Sequence, residues 1–97
     1  MGYAEVYDAW KNDPEGFWMR AAQPIHWNRK PSKALFADKA PLYEWYSDGL
    51  TNTCFNAVDR HVVAGHGGRA AIIYDRPVTD TKETITYADL LDRVAHL

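Results

Sequence analysis

Within residues 42–62 the hydrophobic period of this chain changes from two to four across one short turn, which confines the middle of the fold to a strand, a turn and a helix. Tyr43 and Trp45 fall on one face of an extended segment and Leu42, Glu44 and Tyr46 on the other, the alternation of a half-buried strand. Ser47-Asp48-Gly49 predicts the turn, because Asp bonds its own backbone and Gly tolerates positive φ. Beyond it, Cys54, Val58 and Val62 recur every four residues and predict the apolar stripe of a helix over 52–64. Asn52, Asn56 and Arg60 form a second stripe, with Asp59 three residues past Asn56. That stripe is either solvated surface or a tied-down face. Asn side chains weaken a helix unless they are bonded, which favours a face anchored on the aromatic strand and loop before it.

Upstream, Tyr3, Val6, Tyr7 and Trp10 follow the i, i+3, i+4, i+7 pattern and predict an amphipathic aromatic helix ending near Asn12. Asp13-Pro14 predicts the start of a second helix, since Asp caps free N–H groups, Pro suits the first helical position and Glu15 then lies near the positive end. Phe17, Trp18, Ala21 and Ala22 supply its buried face, and Pro24 marks its close. Both aromatic stripes read as core packing ahead of ligand boxes. Residues 25–41 predict a wrapping loop in which only Lys33-Ala34-Leu35-Phe36 resembles a strand. Its run His26-Trp27-Asn28-Arg29-Lys30 mixes rings and cations that could stack a base and meet a phosphate. Nothing else in the loop supports that, and a surface loop anchored by Trp27 is the simpler reading.

Downstream, Gly65-His66-Gly67-Gly68 has the glycines of a phosphate loop in the wrong place, after a helix and before a strand, without the Lys and Ser or Thr at the required offsets. Gly65 reads as a helix C-cap. Ala70-Ala71-Ile72-Ile73-Tyr74 predicts a strand buried on both faces, and Glu83-Thr84-Ile85-Thr86 pairs back as the second arm of a hairpin after a polar connection. Thr86 predicts the cap of a final helix, with Asp89 at its third position and Leu90, Leu91, Val94 and Leu97 on one apolar face. The fold class expected is α+β: N-terminal aromatic helices and a wrapping loop, a central helix, a β-hairpin and a C-terminal helix cut short. An apolar stripe still running at Leu97 reads as a fragment of a longer chain.

Ninety-seven residues make one small domain that buries only about 60 to 65% of its unfolded surface. With 46% hydrophobic and 13% aromatic residues, the segment is too apolar for a disordered arm and expects to pack against something. A net charge of −2 without a basic cluster gives no footprint for nucleic acid or an anionic membrane. Neither partner is expected. One cysteine excludes an internal disulfide, and no basic segment leads into a long apolar run, so the cytoplasm is the expected location.

The run Gly49-x-Thr51-Asn52-x-Cys54-x-Asn56-Ala57-Val58-Asp59-Arg60-His61, together with Tyr3-Ala4-Glu5-Val6-Tyr7 and Asp13-Pro14-Glu15-Gly16-Phe17-Trp18, resembles the N-terminal region of the AMP-forming acyl-CoA synthetases over nearly the whole chain. Acetyl-type members tend to carry Leu-Asn and then Asn-Cys. Here Thr51-Asn52 and Asn56-Ala57 stand instead, with the cysteine at Cys54, which tilts the resemblance to the propionate–CoA ligases. The resemblance implies a piece of a larger α/β adenylate-forming enzyme, with residues 1–64 as the N-terminal segment and 65–97 as the truncated start of the AMP-binding domain. It implies that the parent joins propionate, or a similar short carboxylate, to CoA through an acyl-adenylate, using ATP, CoA and Mg2+. The remainder of the catalytic domain would be this segment's partner. The family's ATP, carboxylate and CoA motifs fall outside these residues, so no catalytic, cofactor-binding or metal-ligating residue is carried over, and no cofactor is expected on the segment.

Constellations inside the segment give the same expectation. Cys54 and His61 share a helical face but lie about 10 Å apart along the axis, too far for a shared metal or a nucleophile pair. His61 and His66 could approach through Gly65, yet His26 and His96 have no supporting spacing for a zinc set. Asp59, Arg60 and His61 are consecutive and point in different directions, as separate tethers. Two function classes follow: a scaffold segment of an acyl-CoA synthetase, or a stand-alone interaction module presenting its aromatic surface. For a fragment, truncation leaves the apolar helix face and the open strand edge uncovered, which predicts self-association.

Overall fold

The computed structural model describes residues 2–97, and the chain divides into two compact units, Met1–Asn52 and Thr53–Leu97. Helices and small antiparallel sheets share the chain, the α+β class that the sequence predicts.

In the first unit, helix α1 (Tyr3–Asn12) opens at Gly2, whose N–H donates to Glu5 Oε2 at 3.0 Å. Helix α2 (Pro14–Ala21) starts as its sequence dictates: Pro14 takes the first position, and Asp13 Oδ1 accepts the Gly16 N–H at 3.0 Å. Only glycine fits at position 16, because a Cβ there would lie 2.0 Å from an Asp13 carboxylate oxygen. Glu15 goes further than stabilising a helix end. Its carboxylate accepts the N–H groups of Ala34 and Leu35, which pins the wrapping segment to α2 and buries Ala34 completely.

Two pairs of short strands complete this unit. Strand β2 (Leu35–Phe36) pairs antiparallel with β3 (Glu44–Trp45), and β1 (Trp27–Arg29) pairs antiparallel with β4 (Leu50–Thr51). The aromatic strand is therefore shorter than the alternation over 42–46 predicts, because only two of its residues find a partner strand. Residues 27–29, read from the sequence as loop, form a strand because the chain returns beside them at 50–51. The turn also differs from expectation. Its positive φ falls on Tyr46, at 50°, and Gly49 serves a close approach instead, since a Cβ there would sit 2.8 Å from the Trp27 ring. Trp18, Trp45, Tyr46 and Trp27 form a chain of ring contacts, with centroids 5.7 to 6.1 Å apart. The predicted buried face of α2 does not form: Phe17 is half-buried, Trp18 and Ala21 are exposed, and only Ala22, just past the helix, is buried.

The second unit begins with the central helix, which is wound differently from the expected α-helix. Two π-helical turns, Phe55–Asp59 and Val62–His66, occupy it, and the Arg60 N–H donates five residues back to the Phe55 carbonyl. Gly65 takes a φ of 89° and ends the winding, the role its position predicts. Strand β5 (Ala70–Arg76) and strand β6 (Thr81–Thr86) form an antiparallel hairpin in the predicted pairing, closed by a 3-10 turn at Pro77–Thr79 and a left-handed Asp80. The expectation that β5 is buried on both faces does not hold within this chain. Ile72, Ile73 and Tyr74 are exposed, because a two-stranded ribbon covers neither of its own faces; Ile85 on β6 is the buried side chain of the pair. Helix α3 (Tyr87–Ala95) is capped as predicted, Thr86 Oγ1 accepting the Asp89 N–H at 3.2 Å. It folds against the hairpin and the central helix, leaving Leu90, Leu91 and Val94 half-buried and Leu97 exposed.

Candidate functional site

Several titratable or cationic side chains singled out in the sequence have local structural partners. In the first unit, Arg29 Nε donates to the Asp48 carbonyl at 2.8 Å and Trp27 Nε1 donates to the Ala22 carbonyl at 2.9 Å, so the ring-and-cation run anchors a turn. The Asp48 carboxylate accepts the Ser32 N–H through both oxygens at 3.1 Å. Hydrogen bonding from the Ser32 side chain, with further help from the Ser32 N–H, from its own backbone and from Arg29, outweighs desolvation and holds the Asp48 carboxyl below its ordinary value. Tyr46 donates its hydroxyl to the Trp18 carbonyl at 2.6 Å; burial and then the nearby Glu15 carboxylate raise its pKa. These contacts close the unit on itself. Glu15 and Asp48, each bridging 16 residues or more, are the functional anchors sequence reasoning missed, for they look like ordinary cap and turn residues until the chain returns to them.

In the second unit the π winding brings together residues five apart. Cys54 Sγ lies 3.7 Å from Asp59 Oδ1, and Arg60 Nη1 donates to Asn56 Oδ1 at 3.3 Å. Desolvation and then the Asp59 carboxylate push the Cys54 thiol upward, the opposite of what a nucleophilic thiolate requires. His61 packs its ring against Tyr87 at 5.1 Å. Among the described residues no three His, Cys, Asp or Glu side chains converge on a point that could hold a metal ion.

The glycine turn after the central helix faces the protein. The Gly67 carbonyl accepts the Ala88 N–H at 2.9 Å, and a Cβ at Gly67 would meet the Ala88 methyl at 3.3 Å. The turn thus seats the start of α3. One open cleft of about 540 Å³ lies in the first unit, floored by Met19, Ile25, Trp27 and Pro31 with Arg20 and Lys30 at its rim. Arg20 is engaged there by Asp13 at 3.6 Å.

The sequence family described as acetyl-coenzyme A synthetase N-terminus matches residues 3–57, and this chain belongs to that family. Similar proteins include the mouse acyl-CoA synthetase short-chain family member 3, mitochondrial, 47% identical over 85 residues, which cover 88% of this chain and 12% of the relative. The human protein of that name is 44% identical over 95 residues, covering 98% of this chain and 14% of the relative. The acetyl-coenzyme A synthetase of Paraburkholderia phymatum is 45% identical over 86 residues, covering 88% and 13%. This chain therefore spans about one seventh to one eighth of the length of the relatives it matches.

Proposed function

We propose that this chain serves as the N-terminal scaffold of an AMP-forming short-chain acyl-CoA synthetase whose acid is propionate. The observation that carries the reading is the family match over residues 3–57, and similarity to proteins named as short-chain acyl-CoA synthetases accompanies it. The tilt toward propionate rests on Thr51-Asn52, Cys54 and Asn56-Ala57 in the motif. In the whole enzyme, ATP and the carboxylate would give an acyl-adenylate and pyrophosphate. The CoA thiol would then displace AMP to leave the acyl-CoA, with Mg2+ accompanying the ATP. No ATP or CoA contact is assigned to these residues, in keeping with the packing of Gly67 on Ala88 and the hydrogen bond from Arg29 to the Asp48 carbonyl. No step of the reaction is assigned to them. Residues 1–64 are read as the N-terminal segment and 65–97 as the start of the AMP-binding domain, with the rest of that domain as partner.

The experiment is a ligase assay on two products. The 97-residue chain, given propionate, ATP, Mg2+ and CoA, is expected to release no AMP above background. A product translated from the coding frame continued beyond Leu97 is expected to release AMP with propionate faster than with acetate. Turnover by the short chain, or a preference for acetate by the long one, overturns the corresponding part of the reading. The second reading, a stand-alone interaction module, draws on the exposed ring ladder of α1, where Tyr3 stacks on Tyr7 and Tyr7 meets Trp10 edge-on. A frame that closes at Leu97 would favour it.

A further inference from the structure

The cleft beside α2 joins an apolar floor to cations that the rest of the first unit does not use. It lies between α2 and the start of the wrapping segment, and its volume of about 540 Å³ is in the range of small-molecule sites. Its floor is fixed from beneath. The Ala22 carbonyl accepts Trp27 Nε1 at 2.9 Å and the Ile25 N–H at 3.2 Å, the N–H groups of Ala22 and Gln23 are bonded back into α2, and Ala22 and Pro31 are buried. With these backbone groups satisfied, the cleft offers a ligand the side chains of Met19, Ile25 and Trp27. Ile25 is 41% exposed, and Met19 is flexible enough to repack around a guest.

The rim carries one sign of charge. Arg20 and Lys30 belong to the lining, no carboxylate does, and Gln23 is its neutral polar side chain. The run of rings and cations in the sequence is divided by the fold: Arg29 is tied to the Asp48 carbonyl, whereas Lys30 has no hydrogen bond, ion pair or ring contact among the described residues. Arg20 lies back over Gly16, where a Cβ would sit 3.0 Å from Nη1, and meets Asp13 at 3.6 Å with both side chains more than half exposed. An exposed pair of that kind contributes little, so the guanidinium is free to turn to another anion.

We propose that this cleft binds a small amphipathic anion, an alkyl carboxylate of medium chain length. The chain lies over Met19, Ile25 and Trp27, and the carboxylate is held between Lys30 and Arg20. The one-signed rim selects the anion, and the floor selects an alkyl body because its backbone groups are already bonded. The inference concerns residues of the first unit alone and does not rest on the synthetase reading.

Sodium octanoate below its micellar range, titrated into the isotope-labelled 97-residue chain, should move the amide signals of residues 19–30 and the Trp27 indole signal along one saturable curve. Affinity should rise about fourfold per methylene from hexanoate to decanoate. Octanamide, which keeps the chain and lacks the charge, should bind about tenfold more weakly or worse. Lys30→Glu should weaken octanoate by a similar factor with circular dichroism unchanged, since the native side chain is exposed and unpartnered; the octanamide comparison tests the anion even if the variant fails to fold. In a product translated from the frame continued beyond Leu97, octanoate should slow amide exchange over residues 19–31. The absence of a saturable shift at these residues overturns the proposal, and so does equal affinity for octanoate and octanamide. Exchange over 19–31 that is already slow in the longer product and indifferent to octanoate also overturns it, giving the cleft to the rest of that protein.

Discussion

Asp48 and Ser32 show how a single side chain can set the path of a loop. The Asp48 carboxylate reaches across 16 residues to Ser32, whose side chain and then N–H lower its pKa in the folded chain. A depressed carboxyl contributes stability that is complete above the unfolded value, about 3.9, and is lost as pH falls through the lower folded value. Asp48→Asn should therefore lower the urea midpoint at neutral pH, and the gap from the unaltered chain should narrow as pH falls below the ordinary carboxylate range. A gap that stays constant over that range would remove the carboxylate from the explanation. Neighbouring Gly49 and Tyr46 complete the same corner. Gly49 is needed for the approach of Trp27, while the left-handed backbone falls on Tyr46, whose hydroxyl is tied to the Trp18 carbonyl. Which residue of a short turn takes positive φ depends on what the flanking rings touch.

At the scale of elements, the central helix is the informative case. Its apolar spacing of four predicts a helix, and a helix is present, yet the winding includes two π turns. The wider winding sets Cys54 against Asp59 while Asn56 still meets Arg60. Arg60 is half-buried, and its removal leaves Asn56 short of a charged donor. Arg60→Ala should lower stability by about 1 to 3 kcal/mol. That would appear as a fall in melting temperature of at least about 4 °C for a domain of this size. An unchanged melting curve would return the stripe to solvated surface. The capped starts of α2 and α3 were legible in the sequence because caps are local, depending on residues three apart. The pairing of β1 with β4 was not, since it joins segments more than 20 residues apart.

For the whole molecule, the thin core sets the expected stability. Ala22, Ala34, Val58 and Ile85 are the buried apolar residues, and three of the four are alanine or valine. Little surface is exposed when such a chain unfolds, so its urea m-value should fall at or below the low end for small proteins, about 1 kcal/mol/M. A steep transition with a larger m-value would indicate cover that these residues alone do not supply, and a midpoint rising with protein concentration would identify that cover as a second copy.

The sequence by itself determined the order of the helices and the hairpin, the caps of α2 and α3, the left-handed Gly65 and the family motif, because each depends on residues close together in the chain or on a linear pattern. Tertiary structure decided the rest. Glu15 could be seen as a tether of Ala34 and Leu35 only once the wrapping segment lay beside α2. The apolar run of β5 predicted burial on both faces, but burial is set by what covers a strand, and within this chain one partner strand and one short helix leave Ile73 in solvent.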